Sequence, residues 1–267
     1  MKSASKHPLV TVITVVYNGF KDIEKTITSV TGQDYENLEY IIIDGCSTDG
    51  TIEKIKTLST SKIVWISEPD KGIYDAMNKG IKMAKGKWIN FMNCGDTFYN
   101  NKVLTDVFNS DIPNDTIVLY GDVILKYPSY NFHRNCSPRK NENMQIVHQC
   151  TFTRSDKLKE YEFDTNYKIA ADSNFFNILI NKKYKFFYIP ICIAYYEAFY
   201  GLSSKRKIIL FKENSIIKGT KTDFYKYYIG YSRIILSTLV QMIIPVNIYE
   251  KIRRRILIKN SRIKEII

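Results

Sequence analysis

The chain has 267 residues, of which 45% are apolar and 25% charged, so its composition is that of an ordinary globular protein with a substantial core. No apolar run reaches the roughly 20 residues that span a bilayer, and we expect no secretory signal in the opening MKSASKHPLV. The formal net charge is +12, but Lys205 to Ile267 holds 15 basic and 4 acidic residues, a net of +11. These totals predict a nearly neutral domain followed by a basic C-terminal segment.

The cysteines are odd in number and form no C-x-x-C pair, which argues against a disulfide framework or a zinc site. We expect a reducing compartment, with most of the thiols buried as small apolar side chains. The five residues are Cys46, Cys94, Cys136, Cys150 and Cys192.

From Val10 onward, β-branched apolar runs alternate with amphipathic segments. Strands are predicted at 10–17, 38–44, 62–69, 87–93 and 116–123, and helices at about 21–30, after the STDGT sequence (47–51) and at 72–86. This alternation predicts an α/β domain with a mostly parallel sheet.

The rhythm changes after about Tyr127. Residues 128–150 are expected to be loop-rich, a helix is expected to follow Asp172, and 186–197 is a further strand region. Residues 205–267 have the pattern of amphipathic helices. Their apolar run from Ile234 to Ile244 is too short to cross a bilayer, and Pro245 would interrupt it.

Polar side chains follow the predicted strands where each one ends. The first strand ends in Tyr17-Asn18, and carboxylates follow the next three at Asp44, Asp70 and Asp96. Ligands of open α/β sheets bind outside the carboxyl ends of the strands. Each acidic dipeptide alone could equally be a turn, but carboxylates gathered at one edge usually bind a cation or a polar ligand.

Common nucleophile and phosphate-loop motifs are absent from the sequence: it has no G-x-S-x-G, Walker A, H-E-x-x-H or G-x-G-x-x-G. Oxygen ligands of this kind suit Mg²⁺ or Mn²⁺ rather than zinc. A hard ion of this type suggests a nucleoside diphosphate leaving group, whose charge it would stabilise.

Several segments, in this order, resemble the family 2 glycosyltransferases with the GT-A fold. They are PLVTVITVVYNGFKDIEKTITSV, EYIIIDGCSTDGT, ISEPDKGIYDAMNKGIKMAKGKWINFMNCGD, HQCTFTR and YKIAADSNF. The resemblance runs from about Leu9 to Ser204 and is to the subgroup that builds bacterial O-antigen, capsule or exopolysaccharide repeat units. It implies a Rossmann-like, nucleotide-sugar-binding α/β domain.

The resemblance implies a nucleotide-sugar site. Asp44 corresponds to the residue that binds the nucleotide base, Tyr17 and Asn18 line the base and ribose pocket, and Asp70 lies near the nucleotide. Asn78 and Lys79 fall in a helix beneath the sugar-phosphate, and Asn93 belongs to the same site.

The resemblance also implies the catalytic groups. Asp96 corresponds to the last acid of the metal-binding D-x-D element and would ligate Mn²⁺ or Mg²⁺, although Asn93 and Cys94 replace further acids. Asp172 corresponds to the catalytic base of an inverting transfer, with His148 and Gln149 on the acceptor side. From the residues alone, Asp172 reads more simply as the N-cap of a helix beginning at Ser173.

These inferences predict a catalytic domain at 1–204, with a nucleotide-sugar half at about 9–126 and an acceptor half at about 127–204. The expected reaction moves a sugar from UDP-hexose or UDP-N-acetylhexosamine to a lipid-linked glycan. Residues 205–267 combine an apolar and a cationic face, which suits an anionic membrane surface. We therefore expect a cytoplasmic enzyme, peripheral on the inner face of a bacterial plasma membrane.

Two alternatives stay open. The chain could be a basic nucleic-acid- or membrane-binding protein on a catalytically inactive GT-A scaffold, although charge confined to one end and the lack of a nucleic-acid-binding motif disfavour nucleic acid. The C-terminal helices could also pack on the catalytic domain and expose a merely solvated charged face.

Overall fold

The chain folds around one mixed sheet of ten strands. The computed structural model describes residues 7–138, 146–199, 201–219, 224–259 and 263–266. The strands are β1 Val10–Val16, β2 Leu38–Asp44, β3 Ile63–Ser67, β4 Trp88–Phe91, β5 Thr97–Phe98, β6 Thr116–Tyr127, β7 Tyr130–Arg134, β8 Thr151–Arg154, β9 Lys185–Glu197 and β10 Ile263–Ile266. Their main order is β10-β7-β6-β8-β4-β1-β2-β3, with β9 beside β6 and β5 beside β9.

Helices cover both faces of this sheet. They are α1 Ile23–Thr31, α2 Thr51–Leu58, α3 Ile73–Met83, α4 Val103–Phe108, α5 Ser155–Tyr161, α6 Ala171–Asn181, α7 Leu202–Lys205, α8 Lys207–Ile217, α9 Phe224–Ile243 and α10 Val246–Ile258. A short 3₁₀ turn at His148–Cys150 precedes β8.

The first half of the fold is a parallel sheet between two helical layers. Strand β1 is buried along its whole length and pairs in parallel with β2 and β4, and β2 pairs in parallel with β3. Ile27 of α1 belongs to the core on one face, and Met77 of α3 belongs to the core on the other. The predicted α/β class with a mostly parallel sheet is therefore confirmed.

The second half mixes strand directions. Strand β8 runs antiparallel to both β4 and β6, and β9 runs parallel to β6 with irregular register. The expectation of a loop-rich 128–150 is wrong in part, because β7 forms a hairpin with β6 and buries Tyr130 and Phe132. Residues 139–145 of that segment lie outside the described residues.

The C-terminal segment packs on the rest of the fold. In α10, Tyr249 and Glu250 are buried, and the Ser129 hydroxyl donates to Glu250 Oε2 at 2.8 Å. A wholly helical segment was predicted, but β10 pairs antiparallel with β7, which otherwise has one free edge. Helix α9 ends at Ile243, before the proline, as expected. None of the described helices has the length and apolarity to cross a membrane.

Candidate active site

Hydrogen bonds join the end of β1 to the loop between β2 and α2 at the carboxyl edge of the sheet. Asn18 has the left-handed φ of 51°. Its N–H donates to Ser47 Oγ at 2.8 Å, and its Oδ1 accepts from the Thr48 N–H at 2.9 Å. The side chain of Asn18 thus holds the β2–α2 loop against the end of β1. Asparagine tolerates this backbone region better than most residues.

Asp44, the last residue of β2, is fully buried. Its Oδ2 accepts from the Ser47 N–H at 3.0 Å and from the Ser67 hydroxyl at 2.7 Å. Its Oδ1 is also buried and has no hydrogen-bond partner among the described residues. A buried carboxylate oxygen without a donor is costly, so this atom is a natural acceptor for a ligand N–H group.

Asp70 and Tyr17 both lie close to Gly45. A Cβ at position 45 would collide with Asp70 Oδ2 and would stand 3.4 Å from the Tyr17 ring. Asp70 Oδ1 accepts from the Gly72 N–H at 2.8 Å. The Tyr17 side chain is 65% exposed, so its ring is available at the surface of this edge. The structure brings Tyr17, Asn18, Asp44 and Asp70 to the same edge of the sheet.

Two of the predicted nucleotide-sugar residues are engaged elsewhere. Asn78 is buried and exchanges hydrogen bonds with the backbone of Phe163, donating at 2.8 Å and accepting at 2.9 Å. The Lys79 ammonium donates to the Pro69 carbonyl at 2.6 Å and pairs with Glu68 at 2.9 Å. Asn78 therefore joins α3 to the segment before α6, and Lys79 holds the end of β3.

A tight turn follows β4 and carries Asp96. The Asp96 N–H donates to the Asn93 carbonyl at 2.9 Å, and Gly95 has a φ of +103°, which glycine adopts without strain. The Thr26 hydroxyl of α1 donates to the Asp96 carbonyl and accepts from the Gly95 N–H. The turn is thereby fixed from the helical layer as well as from the strand.

The Asp96 carboxylate is 5% exposed and accepts from two protein donors. Gln149 Nε2 donates to Oδ2 at 2.8 Å, and the Glu197 N–H donates to Oδ1 at 3.1 Å. Burial raises the pKa of Asp96 to about 6, against the opposing effect of these hydrogen bonds. Asp96 therefore connects the β4 turn to the 3₁₀ turn and to the end of β9.

The metal prediction requires several oxygen ligands facing one point. No group of three or more His, Cys, Asp or Glu side chains in the described ranges is arranged to hold an ion. Each oxygen of Asp96, the predicted ligand, already accepts one hydrogen bond from the protein. Nearby, Asn93 Oδ1 and Gln149 Oε1 are buried without a partner among the described residues, but amide oxygens alone make a weak divalent site. One carboxylate and two amide oxygens do not make a preformed metal centre in these ranges.

Asp172 lies in a network with His148, Tyr74 and Asn93. His148 Nδ1 is 2.9 Å from Asp172 Oδ2, the Tyr74 hydroxyl is 3.0 Å from Oδ1, and Asn93 Nδ2 is 3.1 Å from His148 Nε2. His148 shares its Nδ1 proton with Asp172 Oδ2, and the Asn93 amide lies against the opposite ring nitrogen. Asn93 and His148 thus orient the carboxylate from one side, and Tyr74 orients it from the other.

The environment keeps Asp172 ionised. Burial favours the neutral acid, but the hydrogen bond and charge of His148, with the Ser173 N–H and the Tyr74 hydroxyl, outweigh it, and the pKa falls below its ordinary value. The side chains of Asp172 and His148 are 19% and 16% exposed. The carboxylate is therefore largely desolvated but still accessible to a hydroxyl group.

The expected N-cap role of Asp172 is wrong. Helix α6 begins at Ala171, Ala170 occupies the N-cap position, and no side chain caps it. Asp172 is the second residue of the helix, where a carboxylate is stabilised by the helix dipole and by the free N–H groups of the first turn. The helix start therefore positions a charged side chain beside His148.

Sequence reasoning missed Tyr74. Its ring lies in the apolar core, so at its place in α3 it reads as one more core residue. Its hydroxyl reaches Asp172 from 98 positions away, a distance that no local pattern contains. The serines that hold Asp44 were also missed as site residues, because Ser47 and Ser67 look like ordinary turn and strand residues.

The fold and the site together define the class of protein. The carboxyl edge of a parallel sheet holds a buried carboxylate oxygen without a partner among the described residues, and the start of α6 holds an ionised, partly exposed aspartate; this is an α/β domain built to bind a polar ligand at that edge.

The family follows from comparison with known proteins. The model of glycosyl transferase family 2 matches residues 11–200, which is more than half of the chain. The chain therefore belongs to glycosyl transferase family 2. It is 26% identical to a PGL/p-HBAD biosynthesis glycosyltransferase of Mycobacterium bovis over 74% of this chain and 80% of that protein. It is 39% identical to an uncharacterized glycosyltransferase of Mycobacterium tuberculosis over 63% and 67%.

Solved structures agree on the fold. The mannosyltransferase PcManGT of Pyrobaculum calidifontis, in complex with GDP-Man and Mn²⁺, superposes with a TM-score of 0.65 at 16% identity, over 82% of this chain and 65% of that one. S. aureus TarS 1-349, in complex with UDP, gives a TM-score of 0.57 at 20% identity, over 78% and 64%. The chain thus spans just under two thirds of both solved chains, and the likeness establishes the GT-A fold.

Proposed function

We propose that this chain transfers a sugar from a nucleoside diphosphate sugar to a hydroxyl group of a lipid-linked glycan, with inversion at the anomeric carbon. The observation that carries the proposal is Asp172, an ionised carboxylate that is only partly exposed and is oriented by His148 and Tyr74. Such a group, placed where an acceptor can reach it, is a suitable general base.

The donor would lie along the carboxyl ends of β1 and β2. Asp44 Oδ1, buried and without a partner among the described residues, would accept an N–H group of the nucleotide base. The exposed Tyr17 ring would cover the base, and Asn18 holds the loop that borders the ribose. The UDP and UDP-GlcNAc complexes of TarS support a nucleotide donor and make UDP-sugars the first to test.

The chemical step is a direct displacement. The acceptor oxygen forms a bond to the anomeric carbon while the bond from that carbon to the diphosphate oxygen breaks, and the diphosphate leaves with the electron pair. The acceptor proton passes to Asp172. Because a hydroxyl becomes more acidic as its oxygen attacks, a carboxylate with a lowered pKa can still accept its proton, and it stays ionised at neutral pH.

Helix α10 supports a membrane-bound acceptor. Ile248, Ile252 and Ile256 are exposed at intervals of four residues. A parallel row of exposed cations, Lys251, Arg255 and Lys259, lies beside them at the same interval. Apolar and cationic rows side by side suit an anionic lipid surface, and this favours a peripheral position on the inner face of the bacterial plasma membrane.

A transfer assay tests the proposal. The full chain is incubated with UDP-, GDP- and dTDP-sugars and a lipid-pyrophosphate monosaccharide, and both free nucleotide and extended lipid are measured. The proposal expects extended lipid with at least one donor. No product and no release of nucleotide from any donor would contradict it. The same assay with and without chelator tests the predicted dependence on Mn²⁺ or Mg²⁺.

The alternative of a basic binding protein on an inactive scaffold is tested by sedimentation at one salt concentration. We expect the chain to sediment with anionic phospholipid vesicles and not to bind duplex DNA. Binding to DNA alone, together with an inactive transfer assay, would favour the alternative.

A further inference from the structure

One buried carboxylate of the C-terminal segment reaches the catalytic side of the molecule. Glu213, in the middle of α8, is 9% exposed. Its Oε1 accepts from the Lys168 N–H at 2.7 Å, and its Oε2 accepts from the N–H groups of Ile169 and Ala170, each at 2.9 Å. Three consecutive backbone donors thus converge on one carboxylate, an arrangement that binds an anion firmly.

The segment held in this way leads directly into the proposed base. Ala170 is the N-cap residue of α6, and Asp172 follows two positions later. The same segment is held from the other side by Tyr74, whose hydroxyl lies 2.7 Å from the Ile169 carbonyl and 3.0 Å from Asp172 Oδ1. The backbone that sets the position of Asp172 is therefore fixed between α3 and α8.

Helix α8 itself packs closely on α9. The Phe211 ring of α8 contacts the rings of Tyr227 and Tyr231 of α9. A Cβ at Gly230 would stand 2.7 Å from that ring, so glycine permits this close approach. Glu213 is thus part of the same packed unit as α9, and α8 also packs on α6.

We propose that Glu213 is a positioning residue for catalysis: by binding the N–H groups of Lys168, Ile169 and Ala170, it places Asp172 for proton transfer. The inference rests on the proposed function of Asp172. It gives the C-terminal helices a part in the chemical step that is separate from any membrane binding. A misplacement of about 1 Å at a catalytic group can lower turnover about a hundredfold, so a small shift of this segment is enough.

The test compares Glu213→Gln with Glu250→Gln in the full chain. Both residues are buried carboxylates of the C-terminal helices, but Glu250 binds Ser129 of the β6–β7 hairpin. The wild type and both variants are assayed with a donor that the wild type uses, at a temperature at which all three proteins are folded. For Glu213→Gln we expect kcat to fall about 10- to 100-fold with the donor KM within about twofold. For Glu250→Gln we expect both constants to stay within about twofold.

Hydrogen exchange of the backbone provides a second readout that needs no substrate. Amides 168–170 should exchange faster in Glu213→Gln, and their protection should be unchanged in Glu250→Gln. Equal losses of kcat in the two variants, or wild-type kcat in Glu213→Gln, would overturn the inference. Unchanged exchange at 168–170 would overturn it as well. If the wild type has no turnover and amides 168–170 still exchange faster in Glu213→Gln, the proposed function is overturned. Glu213 would then only stabilise the backbone of 168–170.

Discussion

Two regions of the carboxyl edge differ in how their carboxylates are satisfied. At the end of β2, Asp44 is fully buried and leaves Oδ1 without a partner in the described part of the chain. In the region between the β4 turn and the start of α6, both oxygens of Asp96 and both oxygens of Asp172 accept from protein groups. The difference indicates separate tasks: the end of β2 leaves an acceptor for a ligand, whereas Asp96 and Asp172 are held in place before any ligand arrives.

The Asp96 and Asp172 carboxylates contrast with each other. Asp96 is the more buried, and its pKa is raised to about 6. The pKa of Asp172 is lowered because His148, the Ser173 N–H and Tyr74 outweigh the effect of burial. Environments that push two pKa values apart indicate distinct roles. Asp96 connects three loops, whereas Asp172 is ionised and partly exposed, as the proposed base has to be.

The largest expected effect comes from Asp172→Asn, which keeps the shape and removes the base. We expect kcat to fall by about 10² to 10⁴, with UDP affinity within about twofold of the wild type. Turnover and UDP titration are measured on the same preparation. Asp156→Asn, an exposed change on α5 that breaks only a pair with Arg154, is the matched control. Wild-type turnover in Asp172→Asn would remove this residue from the role of base.

The second effect distinguishes Asp96 from Asp172 by the pH dependence of the free energy of unfolding. Between pH about 4 and about 6 the folded chain holds a proton on Asp96 that the unfolded chain has lost, so the contribution of Asp96 to the free energy of unfolding falls as pH rises. Relative to Asp96→Asn, the wild type should lose up to about 3 kcal/mol across this window. Urea unfolding at several pH values measures the difference. Parallel curves for the two proteins would contradict the raised pKa.

The opposite sign applies to Asp172. Its lowered pKa stabilises the folded chain above the ordinary value near pH 4, and this contribution is lost as pH falls through the folded pKa. Ionisation of Asp172 should therefore not limit kcat between pH 5 and 8. An inflection of the kcat profile near pH 6 would belong to Asp96, and it should disappear in Asp96→Asn.

A third variant addresses the end of β2. In Asp44→Asn an amide group would occupy the position of one carboxylate oxygen and repel a ligand N–H group. We expect UDP to bind about 10- to 30-fold more weakly, with kcat at saturating donor close to that of the wild type. Isothermal titration measures the affinity. Ser67→Ala, which removes only a donor to Oδ2, should have a smaller effect. Unchanged affinity in Asp44→Asn would mean that UDP binds elsewhere.

The smallest effect concerns α10. Arg255→Ala should weaken binding to vesicles of anionic phospholipid about fivefold, because one cation near such a surface contributes about 1 kcal/mol. The loss should shrink as salt is added. Lys56→Ala, an exposed cation on α2, should bind like the wild type. Equal losses in both variants would show that the net charge of the chain, rather than α10, drives vesicle binding.

The sequence predicted the strands in the first half of the fold better than those in the second, for a physical reason. Strands β1 to β4 are short, mainly apolar runs separated by amphipathic helices, so the local pattern contains them. The network around Asp172 joins residues 24 to 98 positions apart. The contact of Glu213 with the α6 start depends on long-range packing in the same way. Such contacts leave no periodic signal, and only the folded chain brings them together.

The resemblance of the quoted motifs to the family drew attention to Asp96 as a metal ligand and to Asp172 as the base, but it could not supply the surroundings of either residue. Asn78 and Lys79 were predicted from their place in a motif, and their polar groups are bound to Phe163, Pro69 and Glu68 instead. Burial and hydrogen bonding, which decide what a side chain can still bind, are properties of packing.

The configuration of the product tests the central claim most directly. In the proposed step, Asp172 removes the proton of an acceptor hydroxyl whose oxygen attacks the anomeric carbon in a single displacement. The new bond must therefore have the configuration opposite to that of the donor. Proton NMR of the first-formed product of the wild-type chain, read at the anomeric signal, measures this. An inverted product is the predicted result. A retained configuration would mean that the acceptor does not attack in line with the leaving diphosphate, and it would contradict Asp172 as the base of such an attack.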